Sequence, residues 1–377
     1  MEYRKMGNTG VSPSLLGFGC MRFPTRNGKI DEAEAERMLD RAIGAGVTYL
    51  DTAYPYHNGD SEPFVGRVLK KYDRSSLYLA TKLPMWKIKT LEDAKETFEE
   101  QLKRLDVDYV DFYLLHALDG RRWEQVQELK LLEYCEQLKK EGKIRWLGFS
   151  FHDDYEAFEK ILTGYGWDFC QIQYNYVDTD IQAGDKGYEL AEKLGIPMVI
   201  MEPVKGGSLA ALPADITVPF RAYAPDASDA SWALRWVASK PNVKVVLSGM
   251  STMEQVEDNL KTFERFRPFN EEEARIAAQV AQTIKGRTKN GCTGCAYCMP
   301  CPFGIDIPRN FHIWNEYARF GNEARARQRY YVDTNPEARA DQCRKCGKCE
   351  MLCPQSLPIR ADLERVAAEM PKPAANV

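Results

Sequence analysis

Through the first 270 or so residues, short apolar runs alternate with amphipathic stretches. The strand-like runs fall at 15–20, 47–52, 77–82, 110–116, 144–150, 169–175, 197–203 and 243–249. Between them the apolar spacing becomes helical. Ala35, Met38, Leu39, Ala42 and Ile43 follow i, i+3, i+4, i+7, i+8, and Val256, Leu260 and Phe263 continue one stripe after the last run. Gly44 and Gly46 punctuate the first helix just before the second run. The runs at 197–201 and 243–247 are nearly continuous in apolar residues, as strands buried on both faces should be. Eight such strands in βα alternation predict an α/β fold, a (β/α)8 TIM barrel. An open doubly wound sheet would ordinarily carry G-x-G-x-x-G after its first strand, and none stands there. Residues 1–14, folding back around Gly7-Asn8-Thr9-Gly10, predict a hairpin capping the barrel bottom.

Composition changes near Gly286. The chain beyond it is basic, rich in proline and rich in cysteine. This places a barrel domain at 1–285 and a second domain at 286–377. The second domain's last helix carries Ile359, Leu363, Val366, Ala367 and Met370 on one stripe and ends at Pro371. The tail 371–377 is expected to fray.

Of eleven cysteines, only Cys20, Cys135 and Cys170 precede residue 292. The other eight form two groups: Cys292, Cys295, Cys298 and Cys301, then Cys343, Cys346, Cys349 and Cys353, each ending in Cys-Pro. A reduced cytoplasmic chain would not use them as a disulfide framework. The second group is C-x2-C-x2-C-x3-C-P, the bacterial [4Fe–4S] run, whose fourth cysteine serves the other cluster. Two [4Fe–4S] clusters follow from that rule. One takes Cys292, Cys295, Cys298 and Cys353; the other takes Cys343, Cys346, Cys349 and Cys301. The first group has x2 before its last cysteine, so Cys301 fits less closely, and C-x2-C pairs also suit tetrahedral zinc. The whole reads as a small ferredoxin-like Fe–S domain with a helical insert at 308–331.

The remaining composition excludes several classes. With 51 basic and 55 acidic residues the net charge is −4, so nothing pulls the chain as a whole toward nucleic acid or anionic membrane. No apolar run is long enough to span a bilayer, and the N-terminus lacks the apolar stretch of a signal peptide. The expected location is the cytoplasm.

In a (β/α)8 barrel the chemistry sits at the C-terminal ends of the strands. Asp51, Lys82 and His116 close the second, third and fourth runs, and Tyr56 follows in a loop. Hydride reduction of a carbonyl leaves an alkoxide that must be protonated. A tyrosine near pKa 10 is a weak acid for that task, and a neighbouring ammonium lowers its pKa. Lys82 can supply the charge, Asp51 can hold Lys82, and His116 can polarise the substrate oxygen.

Asp51-Thr52-Ala53-Tyr54-Pro55-Tyr56, Ala80-Thr81-Lys82, Tyr113-Leu114-Leu115-His116, Leu16-Gly17-Phe18-Gly19 and the block 247–260 together resemble the aldo-keto reductases. With the cysteine groups, the chain is similar to that family's iron–sulfur-containing branch. The resemblance implies a catalytic set of Tyr56, Asp51, Lys82 and His116, with Tyr56 as general acid, and a nicotinamide cofactor across the barrel mouth. It implies cofactor contacts from Ser150, Gln171, Met201, Gly249, Met250, Gln255, Asp258 and Asn259. Phe151 stands where the family usually has Asn, and Gly249 and Gln255 stand where NADPH-preferring members have Lys and Arg. The cofactor is therefore NADP or NAD. The loop from Pro203 through Lys205 and Gly207 is either a pyrophosphate cradle or a plain Gly-rich turn.

The expected function is oxidoreductase: a carbonyl and an alcohol interconverted by hydride transfer, with the clusters serving electron transfer or structure. The alternative is a nucleotide-binding redox-sensing or electron-transfer subunit without carbonyl reductase activity of its own. The partner is a small-molecule carbonyl or alcohol. Basic residues around the clusters, Arg344, Lys345 and Lys348 among them, face solvent, the cluster charge or an acidic redox protein. Tyr54, Trp86, Phe151, His152 and Tyr174 are expected to line the substrate site, and loops 84–89, 117–122 and 210–229 to close it.

Overall fold

The computed structural model describes residues 1–373. It separates into two compact units: Met1–Ala210 with Ala227–Ala274, and Ala211–Asp226 with the chain from Arg275 onward.

The first unit is a closed barrel of eight parallel strands. They are β1 (Leu16–Gly19), β2 (Tyr49–Asp51), β3 (Tyr78–Leu83), β4 (Val110–Leu118), β5 (Ile144–Phe151), β6 (Phe169–Gln173), β7 (Met198–Met201) and β8 (Val243–Ser248). Each strand pairs with its neighbours in sequence, and β1 closes the ring against β8 with Leu16 opposite Val246. The eight apolar runs thus all become strands, with local reasons for where they stop. β6 ends early because Asn175 turns the chain: its Oδ1 accepts from the backbone N–H of Val177 at 3.1 Å and of Asp178 at 2.9 Å. β7 ends at Met201 because Glu202 adopts a left-handed φ of 52°.

Side chains pointing into the barrel make a separate core of Met6, Tyr49, Ala80, Phe112, Leu114, Phe169, Val199, Val245 and Leu247. Met6 reaches it from the N-terminal segment, which folds back on itself. Tyr3 pairs antiparallel with Ser14, and the Met6 N–H bonds the Val11 carbonyl at 2.9 Å. A fully buried methionine at that turn plugs the barrel. Outside the strands lie amphipathic helices including α1 (Glu32–Gly44), α2 (Ser61–Leu69) and α3 (Leu91–Leu105). Ala35, Met38, Leu39 and Ala42 of α1 are buried, as their spacing requires. A Thr90–Asp93 capping box starts α3, and Asp106 stops it in a left-handed conformation.

The second unit has its own core around Phe311, Trp314, Tyr330, Leu363 and Val366. The helices Ile307–Phe320 and Ile359–Glu369 supply most of it. The segment expected as a helical insert is helical, continuing through Glu323–Arg327 and Gln328–Val332. Asn290, before the first cysteine, donates to Asp362 on the last helix at 2.6 Å and so ties the loop to that core. Of the loop 210–229, Ala211–Asp226 clusters with this unit and carries the helix Val218–Tyr223. Residues 371–373 are irregular, and the expectation for 374–377 lies outside the described residues. Among the described residues no helix is long and apolar enough to cross a membrane.

Candidate active site and cysteine centres

Asp51 is the last residue of β2 and Lys82 the penultimate residue of β3, so the register of adjacent strands brings both to one rim. Both are nearly inaccessible, at 3% and 1% exposure. The Lys82 ammonium donates to Asp51 Oδ1 at 2.7 Å, to the Thr52 carbonyl at 2.8 Å and to the Tyr56 hydroxyl at 3.3 Å. Three oxygens thus surround one buried cation, which makes its enclosure tolerable. Burial opposes the charge on Lys82, but Asp51 and Tyr56 outweigh it and raise its pKa, so Lys82 is an ammonium. Burial pushes the Asp51 carboxyl up against the pull of Lys82.

Tyr56 departs from the sequence expectation in one respect. Burial of its hydroxyl raises the pKa above the ordinary value, and Lys82 lowers it only in part. The phenol is therefore firmly protonated at neutral pH. The physical reason is that the ammonium already shares its charge with Asp51, while the enclosure penalises phenolate fully. The His116 ring stands edge-on to Tyr56 with centroids 6.3 Å apart. Burial, then Lys82, His152 and Arg122, hold its pKa well below the usual histidine value, so the imidazole is neutral. Its Nδ1 has no hydrogen-bond partner among the described residues.

A second set of residues, invisible to the motif reading, holds this quartet in place. The loop bearing Tyr56 contains two successive left-handed residues, His57 and Asn58, at φ 52° and 56°. Arg104 on α3 braces it by donating to the carbonyls of Tyr54 and Gly59 and pairing with Glu62 at 3.1 Å. Glu62 Oε1 accepts from Thr81 at 2.7 Å and Gln101 at 2.8 Å, and Gln101 donates to the Lys82 carbonyl at 3.0 Å. The only sequence hint was polar residues at inward positions of α2 and α3.

The quartet lines a cleft of about 1610 Å³, open mouth included. Ser150, Gln171, Met201, Pro203, Gly207, Gly249, Met250, Gln255, Asp258 and Asn259 all line it. Gln171 is 1% exposed, and its Oε1 has no partner among the described residues. Ser150 Oγ accepts from the Ala117 N–H at 2.7 Å, which leaves its own proton to donate. One side-chain acceptor and one side-chain donor thus line this cleft. Also at the cleft, Asn259 donates to Ser248 Oγ at 2.8 Å, the Ser251 N–H donates to Gln255 at 2.7 Å, and Ser228 donates to Asp258 at 2.6 Å.

Lys205, considered as a pyrophosphate ligand, does not line the cleft. It pairs with Asp178 at 2.6 Å, because the turn after Glu202 carries it toward the β6 loop. Arg22 lines the cleft instead, as its one cation besides Lys82 among the described residues. Its stem packs over Gly249, where a Cβ would stand 2.7 Å from Arg22 Cγ. That contact explains the glycine at the position where a cation was missed. His152 also lines the cleft, and half-exposed Trp86 packs against His116 at 5.0 Å. Three aromatics face elsewhere: Tyr54 bonds Glu100, Phe151 packs on Phe158, and Tyr174 bonds Asp185.

In the second unit, Cys292, Cys295, Cys298 and Cys353 line one cavity. Cys301, Cys343, Cys346 and Cys349 line another, which Cys298 also touches. None of the eight is in a disulfide. Among the described residues no three metal-ligating side chains are grouped closely enough to hold a single ion. Four thiols around one cavity are the donor set of a [4Fe–4S] cubane, whose irons occupy separate corners.

The family profile described as "4Fe-4S dicluster domain" matches residues 291–357. The uncharacterized oxidoreductase YqkF of Bacillus subtilis is 28% identical over 320 residues, 75% of this chain and 98% of the relative. The NADH-specific methylglyoxal reductase of Escherichia coli is 25% identical over 317 residues, 69% of this chain and 93% of the relative. The aldo-keto reductase AKR11C1 from Bacillus halodurans, in its holo form, superposes with a TM-score of 0.64 at 28% identity. That superposition covers 74% of this chain and 96% of the other. The profile described as "Aldo/keto reductase family" matches residues 15–282, which take in all eight strands and the whole quartet. With the barrel, the rim chemistry and the profile in agreement, this chain belongs to the aldo/keto reductase family and carries a 4Fe–4S dicluster ferredoxin domain after its barrel in the sequence.

Proposed function

We propose that the chain is a cytoplasmic nicotinamide-dependent oxidoreductase that interconverts a small carbonyl compound and its alcohol. In this reading residues 1–285 carry the hydride chemistry and residues 286–377 carry two [4Fe–4S] clusters. The observation that carries it is the Tyr56 hydroxyl, 3.3 Å from the buried Lys82 ammonium and lining one cleft with His116, Ser150 and Gln171.

A nicotinamide bound along the cleft would supply the hydride. Gln171 Oε1 and the Ser150 hydroxyl, an acceptor and a donor, would hold its carboxamide. Neutral His116 donates a hydrogen bond to the substrate oxygen, and protonated Tyr56 hands that oxygen a proton as charge develops. Lys82 stabilises the phenolate left behind, and Asp51 keeps Lys82 charged and aimed. In the oxidative direction the same groups run in reverse.

In this proposal the cleft takes NADH over NADPH. Asp258 places a carboxylate at the nucleoside end, where it suits a ribose diol and repels a phosphate, and Arg22 is available to a pyrophosphate. The Escherichia coli relative named as NADH-specific is consistent with this.

The test is anaerobic purification with iron and sulfide counted, followed by titration with NADH and NADPH and assay against a panel of aldehydes and ketones. Tyr56→Phe should keep dinucleotide affinity and lose about 10²–10⁴ in kcat. A wild-type enzyme that binds neither dinucleotide, or a Tyr56→Phe variant as active as wild type, would overturn the reading.

A further inference from the structure

The two cysteine cavities differ in one physical respect that spacing does not reveal. Among the described residues, no ionisable side chain other than cysteine lines the cavity of Cys292, Cys295, Cys298 and Cys353; its wall is Ile307, Phe311, Leu357, Ile359 and small polar or proline residues. The other cavity is lined by Arg344, Lys345, Lys348 and Arg360. Arg360 is the best fixed of these. Its guanidinium donates from Nε and Nη2 to Glu350 at 2.8 Å. Its Nη1 lies 3.6 Å from where a Cβ on Gly347 would stand, so the cation overlies the loop between Cys346 and Cys349. Glu350 and Glu364 offset Arg360 and Lys345, and the surplus of charge remains positive. The Lys345 N–H adds a bond to Cys343 Sγ at 3.4 Å.

We propose that the two cluster sites are electronically inequivalent, with the higher reduction potential at Cys301, Cys343, Cys346 and Cys349, set by Arg360 and the neighbouring cations. This rests on the two-cluster reading above. Reduction adds one electron to a cluster and makes it more negative. Cations and N–H donors beside it stabilise that reduced form, whereas an apolar wall does not. An electron entering this unit therefore settles at the cationic site, and only a second electron fills the neutral one.

The test uses the full chain, anaerobic and cluster-loaded, with iron and sulfide counted. It is reduced stepwise with dithionite through mediators and followed by absorbance and electron paramagnetic resonance. Eight irons should accompany two separate one-electron waves. Arg360→Gln should lower the upper wave alone, by about tenfold in its reduced-to-oxidised ratio at fixed potential, roughly 59 mV. Lys348→Gln, on an exposed side chain, should move the same wave in the same direction by less, and it decides the matter if Arg360→Gln loses iron. With eight irons present, coincident waves, a shift of the lower wave, or no shift in Lys348→Gln when that variant decides would overturn the inference alone. Four irons per chain would overturn the two-cluster reading and this inference with it.

Discussion

Replacing Lys82 by methionine removes the one cation beside the proposed proton donor and leaves the volume nearly filled. At 3.3 Å and an effective dielectric of about 20, an ammonium and a phenolate attract by about 5 kcal/mol. A tenfold change corresponds to about 1.4 kcal/mol, so the Tyr56 phenol should lose roughly three to four powers of ten in acidity. With the proton about half transferred at the transition state, kcat for carbonyl reduction should fall by about 10²-fold. The pH profile gives an independent reading. Tyr56 already titrates above the ordinary tyrosine value, so wild-type reduction should stay flat from about pH 6 to 9, while alcohol oxidation, which needs phenolate, should climb with pH. The variant should push the rise in oxidation to still higher pH. The substitution also strands the Asp51 carboxylate, at 3% exposure, without its counter-charge, a loss of about 3–5 kcal/mol in stability. Asp51 is raised by burial, so that deficit should be small below about pH 4, its unfolded value, and grow as pH rises through the folded value. An Asp51→Asn, Lys82→Met double variant should regain most of the stability and none of the activity. A folded Lys82→Met protein with kcat within about threefold of wild type, under about 0.7 kcal/mol in the barrier, would refute the reasoning.

The other expectations concern the same cleft and its supports. His116 is depressed by burial, so the unfolded chain takes up its proton first as pH falls. Stability should drop below about pH 6.5 at up to about 1.4 kcal/mol per pH unit from this group, and His116→Phe should flatten that part of the denaturation-versus-pH curve. Arg22→Ala should weaken NADH binding in a fluorescence titration, while Lys205→Ala, whose lysine is tied to Asp178, should leave it nearly unchanged; the reverse order would sink the cleft assignment. Gly66→Ala should cost about 3 kcal/mol or more in chemical unfolding, because a Cβ there would meet the Leu105 carbonyl oxygen of α3 at 2.3 Å and neither helix backbone can yield. Unchanged stability would mean that α2 and α3 are not held at that spacing.

Much of this protein follows from local pattern. The eight buried runs, the helical stripes between them and the positions of Asp51, Lys82 and His116 at or within two residues of their strand ends were legible because period and order in the chain dictate a parallel barrel and put strand ends on one rim. The cysteine spacings were legible because a loop of that length can only wrap a compact centre. Tertiary structure alone decided how the charges balance. Whether Lys82 lowers or fails to lower Tyr56 depends on enclosure, a sum over every neighbouring atom that no linear pattern encodes. Likewise Lys205 turned to Asp178, Arg22 came over Gly249 across the barrel closure, and Arg104 braced the Tyr56 loop from a helix distant in the chain. Such contacts join positions far apart in sequence, and their partners are fixed only when the ring of strands closes.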